Sequence, residues 1–412
     1  MIPIKGVSMQ DDLLETVENL RDEMKNSLME MLKIPAIGPD NDGDGEAERA
    51  EFLMRLIQEC GFDEVKRYDA KDHRTTSGIR PNIVAIKKGS TDKNVLILVH
   101  MDIVPEGDLD EWDTDPYEPV FKDGKIYGRG AEDNGQALIS ALYAAKALTL
   151  SDITPKYNLK VILVSDEETG SEYGVEHILD EGLVSQDDLV IVPDHSEDHG
   201  KKIVITEKSA VWVKITVHGK QGHAAMPDQA INANRLVSRY ISTIDTLLHT
   251  KFCTRNEYFS PPYSTFEPTK RLSNVPNTNT IPGKEVQFFD CRVVPEVSLS
   301  DVKRMIEETA KELSAHTEAN IEIDYTMEKE SPPGTPEDAE VVLKLRATIE
   351  EVLGFTPELC GIGGGTVASH FRERNIPAVV WSTSDEIPHQ PNEYSVLDYM
   401  VNDCKVFSRL VL

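Results

Sequence analysis

The chain has 412 residues, 39% hydrophobic and 28% charged, a composition able to build and cover a core, and its length predicts two domains. A formal net charge of −29, from 72 acidic against 43 basic residues, argues against nucleic-acid and anionic-membrane partners, because both would be repelled. The five cysteines (Cys60, Cys253, Cys291, Cys360 and Cys404) are scattered without C-x-x-C spacing, which predicts reduced, mostly buried thiols rather than a disulfide framework or a thiolate zinc site.

No window approaches the eighteen or so apolar residues of a membrane span, and "MIPIKGVSMQDDLLETVENL" lacks the basic start and apolar stretch of a leader. A cytoplasmic protein is the expectation. After an amphipathic helical opening over about residues 10 to 33 come apolar runs that look like buried strands: "NIVAIKK", "NVLILVHMD", "NLKVILVSDEE", "DLVIVPD" and, far downstream, "IPAVVWSTSD". Their alternation with helical stretches such as "GQALISALYAAKAL" predicts an α/β domain, a mostly parallel sheet with helices on both faces.

From about residue 208 the texture changes. "AVWVKITVHGK" alternates like a half-exposed strand, "INANRLVSRYISTIDTLLHT" is helical, and "STFEPTKRL", "EVQFFDCRVV", "SLSDVKRMIEETAKELSAH" and "ANIEIDYTME" complete a βαββαβ order. This α+β module is inserted in the larger domain, whose pattern resumes after the hinge-like "ESPPGTPED". The expected division is 1–207 with 328–412, and 208–327 as the insert.

The strands of the α/β part end in residues that bind metals. His100 and Asp102 close one run, Asp166, Glu167 and Glu168 another, Asp194 a third, and His389 follows the last. Open α/β sheets place their ligand crevices at the carboxyl ends of strands, so these chain-distant residues can converge. Singly, a strand-end histidine reads as a structural hydrogen-bonding group and "DEE" as a solvated face or helix cap. Jointly they cost more than packing returns unless a cation compensates the charge. The loop "YGRGAEDNGQ" adds Asp133; it has neither P-loop nor G-x-G-x-x-G spacing and carries two acids, so phosphate binding is the weaker reading.

In order along the chain, "HMDIVP", "GRGAEDNG", "DEETG", the "PD" of residues 193 and 194, "GKQGHAAMP", "NTIPG", "GGGT" and "HQPNE" resemble the M20 metallopeptidases. That family includes acetylornithine deacetylase, succinyl-diaminopimelate desuccinylase, aminoacylase, glutamate carboxypeptidase and related dipeptidases. The resemblance implies two divalent metal ions, zinc or else cobalt or manganese, beside a smaller lid or dimerisation domain. It implies that Asp133 bridges them, that Glu168 and His389 complete one position and His100 and Asp194 the other. It places Asp102 behind His100 as acceptor of the second ring N–H, and gives Glu167 the proton transfer to and from the attacking water. It further implies that His223 stabilises the tetrahedral intermediate, reaching the active site from the lid domain or, in dimers, from the partner. The resemblance also implies that Asn279, Arg292, Gly365 and Thr366 hold the substrate, and that the bond after Asp133 is a non-proline cis peptide. Where many relatives have Asp-x-Lys-Gly, this chain has Asp133-Asn134-Gly135-Gln136, which leaves the subgroup open.

The implied activity is hydrolysis of the amide bond of an N-acyl amino acid, with dipeptidase or carboxypeptidase action as a rival using the same mechanism, in a homodimer. A non-catalytic metal-binding relative would be free to lose Glu167, and phosphoryl transfer would want basic clamps that these acidic motifs lack.

Overall fold

The computed structural model describes residues 9–412, which divide into two compact units: residues 9–205, 335–359 and 367–412, and residues 206–334 with 360–366. The first unit is an α/β layer structure around an eight-stranded sheet. Its strand order is Glu64–Arg67, Ile83–Lys87, Asn158–Val164, Asn94–His100, Leu189–Val192, Ala378–Val380, Lys202–Glu207 and Glu358–Ile362. The four strands from Asn158–Val164 to Ala378–Val380 run parallel, and the outer pairs for which a register is defined run antiparallel.

Burial explains the runs. Val95, Leu96, Ile97, Leu98 and Val99 are all buried, as expected for a strand covered on both faces, where alternation has nothing to gain. One cover is the helix Ala137–Leu150, apolar nearly all round, packed against Leu397–Leu410. The N-terminal stretch forms two helices, Met9–Asn19 and Arg21–Leu32, rather than one.

Register places the chemistry. Val99 sits opposite Leu163 and His100 opposite Val164; Ile97 faces Ile191, and Val192 faces Val380. Four parallel strands therefore deliver their carboxyl ends to one edge, where residues 100–102, 166–168, 194 and the loop leading to His389 follow.

In the second unit, the antiparallel strands Thr265–Arg271, Lys284–Val293, Ser209–His218 and Asn320–Lys329 make a four-stranded sheet. Val211, Val213, Ile215 and Val217 point into a core shared with the helices Ala233–Lys251 and Leu299–Ala315, while Trp212 and Lys214 alternate outward. Asn232 and Ser298 cap the two helices by accepting from Arg235 N and Asp301 N.

One assignment differs from the sequence division. Residues 360–366, counted with the α/β domain on pattern alone, belong to the second unit. Backbone bonds tie them there, Lys208 N donating to Ile362 O and Gly361 N to Tyr258 O, and the Thr366 hydroxyl donates to Glu207 at 2.6 Å. The boundaries fall at 205/206 and 334/335 instead of 207/208 and 327/328.

Candidate metal centre

His100 closes its strand, and its Nε2 lies 2.9 Å from Asp133 Oδ1 and 3.1 Å from Asp194 Oδ1. His389 Nε2 lies 3.0 Å from Asp133 Oδ2 and 3.1 Å from Glu168 Oε2. Asp133 thus presents one oxygen to each histidine, and two donor groups share it: His100, Asp133 and Asp194, and Asp133, Glu168 and His389.

The loop that carries Asp133 is folded tightly. Gly135 N donates to Gly130 O, and a Cβ at Gly135 would stand 2.4 Å from that same oxygen, so only glycine fits. Asp133 itself is non-helical (φ −110°, ψ 96°), and the Asp133–Asn134 peptide is cis. Asp166, two residues past the end of its strand, takes a left-handed conformation (φ 64°), and the short turn Glu167–Thr169 follows it.

Asp102 differs in detail from the expectation. The His100 Nδ1 nitrogen lies 3.0 Å from the backbone carbonyl of Asp102, while the nearer carboxylate oxygen is 3.6 Å away. That carboxylate instead accepts from Glu167 N at 3.1 Å and Glu168 N at 3.0 Å. Asp102 therefore faces the ring with its main-chain carbonyl at 3.0 Å and its carboxylate at 3.6 Å, and holds the acidic turn through that same carboxylate.

The protonation pattern follows from crowding. Burial pushes Glu167 well above the usual carboxylate range, and Asp194 beside it pushes further. Burial also raises Glu168 to about 7, against the pull of His389, and raises Asp194. Burial works against a charged His100, but Asp194, Asp102 and Asp133 outweigh it and hold the imidazole well above its ordinary value. Hydrogen bonds to Asp133 and Glu168 raise His389 to about 10. Burial would raise Asp133 too, yet the two imidazoles hold it low. Protons thus balance an excess of carboxylates, which is the service a divalent cation performs. The donors are nitrogen and oxygen without thiolate, a set that fits zinc, cobalt or manganese.

The remaining candidates lie in the second unit. Exposed His223, in the short strand Gly222–His223, pairs with Thr280, and Ala224 N donates to Asn279 O at 2.9 Å, so His223 and Asn279 are neighbours. Arg292 is forked onto Asp290 at 2.7 and 3.0 Å and donates to Gly363 O. Gly365 lies against the Lys329 side chain, and Thr366 gives both its N–H and its hydroxyl to Glu207.

Residues 96–412 match the sequence profile of Peptidase family M20/M25/M40. The chain belongs to this family. A Methanocaldococcus jannaschii protein described as an uncharacterized metallohydrolase is 38% identical over 397 residues, covering 93% of this chain and 97% of its own. A succinyl-diaminopimelate desuccinylase of Sulfurovum sp. is 27% identical over 390 residues, 93% of this chain and 97% of the relative. Among solved structures, the dipeptidase Dug1p of Saccharomyces cerevisiae shares the fold with a TM-score of 0.71 at 15% identity, covering 98% of both chains.

As an M20 enzyme the protein is a metal-dependent hydrolase of amide or peptide bonds. Two acids beside this M20 centre have no role in the sequence expectation: Glu132, next to the shared aspartate, and Glu393, at the end of "HQPNE". Burial raises both, Glu132 to about 7. The signal available was position alone, an acid flanking each of two ligand segments.

Proposed function

We propose that this M20 enzyme hydrolyses the amide bond of N-acyl amino acids with two bound divalent cations, zinc first among them, in the cytoplasm and as a homodimer. The observation that carries the two-metal part is Asp133, with one carboxylate oxygen toward each histidine-containing group. Likeness to a desuccinylase over 93% of the chain supports the acyl-amino-acid class.

His100, Asp133 and Asp194 would hold one cation and Asp133, Glu168 and His389 the other. When bound, such a pair lowers the pKa of water and polarises the substrate carbonyl. Glu167 does the proton work: its carboxyl sits beside Asp194, and a cation pair would draw it down from its raised value to a carboxylate able to take the water proton. The same carboxyl then returns that proton to the departing amine, so the amide closes as an acid and an amine with no net proton left over. Asp102 fixes the turn that presents Glu167 through the N–H groups of Glu167 and Glu168. His223 for the negative charge of the attacked carbonyl, and Asn279, Arg292, Gly365 and Thr366 for the substrate, remain part of this proposal.

The test is a panel of N-acetyl, N-succinyl and N-formyl amino acids beside dipeptides and short peptides, with zinc, cobalt or manganese, for wild type and Glu167→Ala. Turnover of acyl amino acids that both chelator and Glu167→Ala abolish supports the reading. Turnover of peptides alone assigns the same mechanism to a peptidase and overturns the acyl class.

A further inference from the structure

Glu132 and Glu393 flank the metal centre, yet neither belongs to a donor group. Each carboxylate is spent on backbone N–H groups of the other's loop. Glu393 Oε1 accepts from Glu132 N at 2.9 Å and Asp133 N at 3.1 Å; its Oε2 accepts from Gly130 N at 3.1 Å and from Arg129 Nη1 at 2.6 Å. In return, Glu132 Oε1 accepts from Ile387 N at 2.7 Å and Oε2 from Asp385 N at 3.3 Å. The loop of Asp133 and the loop of His389 are cross-tied in both directions.

The second loop has reason to need such ties. Glu386, His389 and Asn392 all hold positive φ (60°, 61° and 62°), a conformation that non-glycine residues keep only where surroundings enforce it. Between Asp385 and His389, the main-chain N–H bonds from this loop to the facing one are those to Glu132, and Arg129 Nη2 adds a long 3.4 Å bond to His389 O.

We infer that Glu132 and Glu393 form a reciprocal clasp of positioning residues that sets the spacing of the two metal positions, with Glu132 governing the position that includes His389. This rests on the two-metal reading above. The two carboxylates have unequal reach. Asp133 is held from its own backbone by Glu393 and belongs to both donor groups, so loosening Glu393 disturbs both. Glu132 holds only the loop of His389, so loosening it disturbs that position and leaves His100 and Asp194 as they are.

The test titrates the metal-free full-length chain with zinc against a chromophoric chelator, for wild type, Glu132→Gln and Glu393→Gln, with circular dichroism confirming the fold of each. Glutamine keeps the shape but turns an NH2 toward backbone donors, one of the two at Glu132 and at least one of the three at Glu393. Wild type is expected to take two zinc ions per chain. Glu132→Gln is expected to keep one at wild-type affinity and to bind the other about 10–100-fold more weakly, the usual cost of removing a ligand-supporting contact. Glu393→Gln weakens both; should it not fold, Glu132→Gln decides alone. Equal affinities in Glu132→Gln and wild type, or an equal loss at both positions in Glu132→Gln, overturn the clasp. Fewer than two ions in wild type overturn the two-metal reading, and the clasp with it.

Discussion

A single carboxylate, Asp133, organises the centre by facing His100 with one oxygen and His389 with the other. Around it the acids are placed differently: Glu168 joins a donor group and Asp102 holds the turn of Glu167 and Glu168, which in the proposed mechanism leaves Glu167 for the proton. Glu167→Gln should therefore lower kcat by about 10²–10⁴-fold while metal content per chain stays at the wild-type value; loss of metal together with activity would make Glu167 a ligand instead. Farther from this centre, buried Asp403 accepts from Thr383 N, the Thr383 hydroxyl and Gln136, and burial pushes it up to about 7. Because its folded value lies above its unfolded one, its contribution to stability is complete below about 4 and is lost as pH rises through 7. The melting temperature of Asp403→Asn relative to wild type should climb between pH 4 and 7 and then level off. A flat difference would show that the carboxyl titrates normally.

At the scale of elements, the helix Ala137–Leu150 follows directly from the loop of Asp133, and its packing carries that loop. Leu142 within it is fully buried, so Leu142→Ala should cost about 2–5 kcal/mol in a urea titration, and a cost below 1 kcal/mol would mean that the layer there can collapse around the gap. The four parallel strands were readable because each is a largely apolar run, and "HMD", "SDEE" and "VPD" lie where parallel pairing brings them to one edge, whereas Glu64–Arg67, Lys202–Glu207 and Glu358–Ile362, which lie toward the edges of the sheet, were not expected as strands. The clasp was not readable. Its acids act on backbone N–H groups some 250 to 260 positions away in sequence, and main-chain donors leave no mark on residue type. The allegiance of residues 360–366 was hidden for a related reason, since Glu207 and Lys208 draw "GIGGGT" out of a strand pattern that began in the first unit.

For the whole molecule, the −29 net charge is a self-repulsion that salt screens. Melting temperature should rise as sodium chloride is raised from about 0.02 to 0.5 M, over which the Debye length falls severalfold; a fall would place the stabilising ion pairs, such as buried Arg129–Glu393 and Arg80–Glu46, above the repulsion. Collinear motifs made the family readable over the full chain, because order along the sequence survives where single residues are ambiguous. The division into two units was readable only in outline, as a change from continuous to alternating apolar patterning near residue 208.

The strand order has a further consequence in time. Ala378–Val380 lies between Leu189–Val192 and Lys202–Glu207, two strands that are near neighbours in sequence. A ribosome making about 5–20 residues per second emits the flanking strands and then the whole second unit before the strand that separates them. For on the order of ten seconds or more, the nascent sheet carries an open slot with unpaired main-chain groups on both sides. Any extended peptide nearby can add there, so the emerging chain needs shielding in that interval until its own late strand arrives, bringing His389 with it.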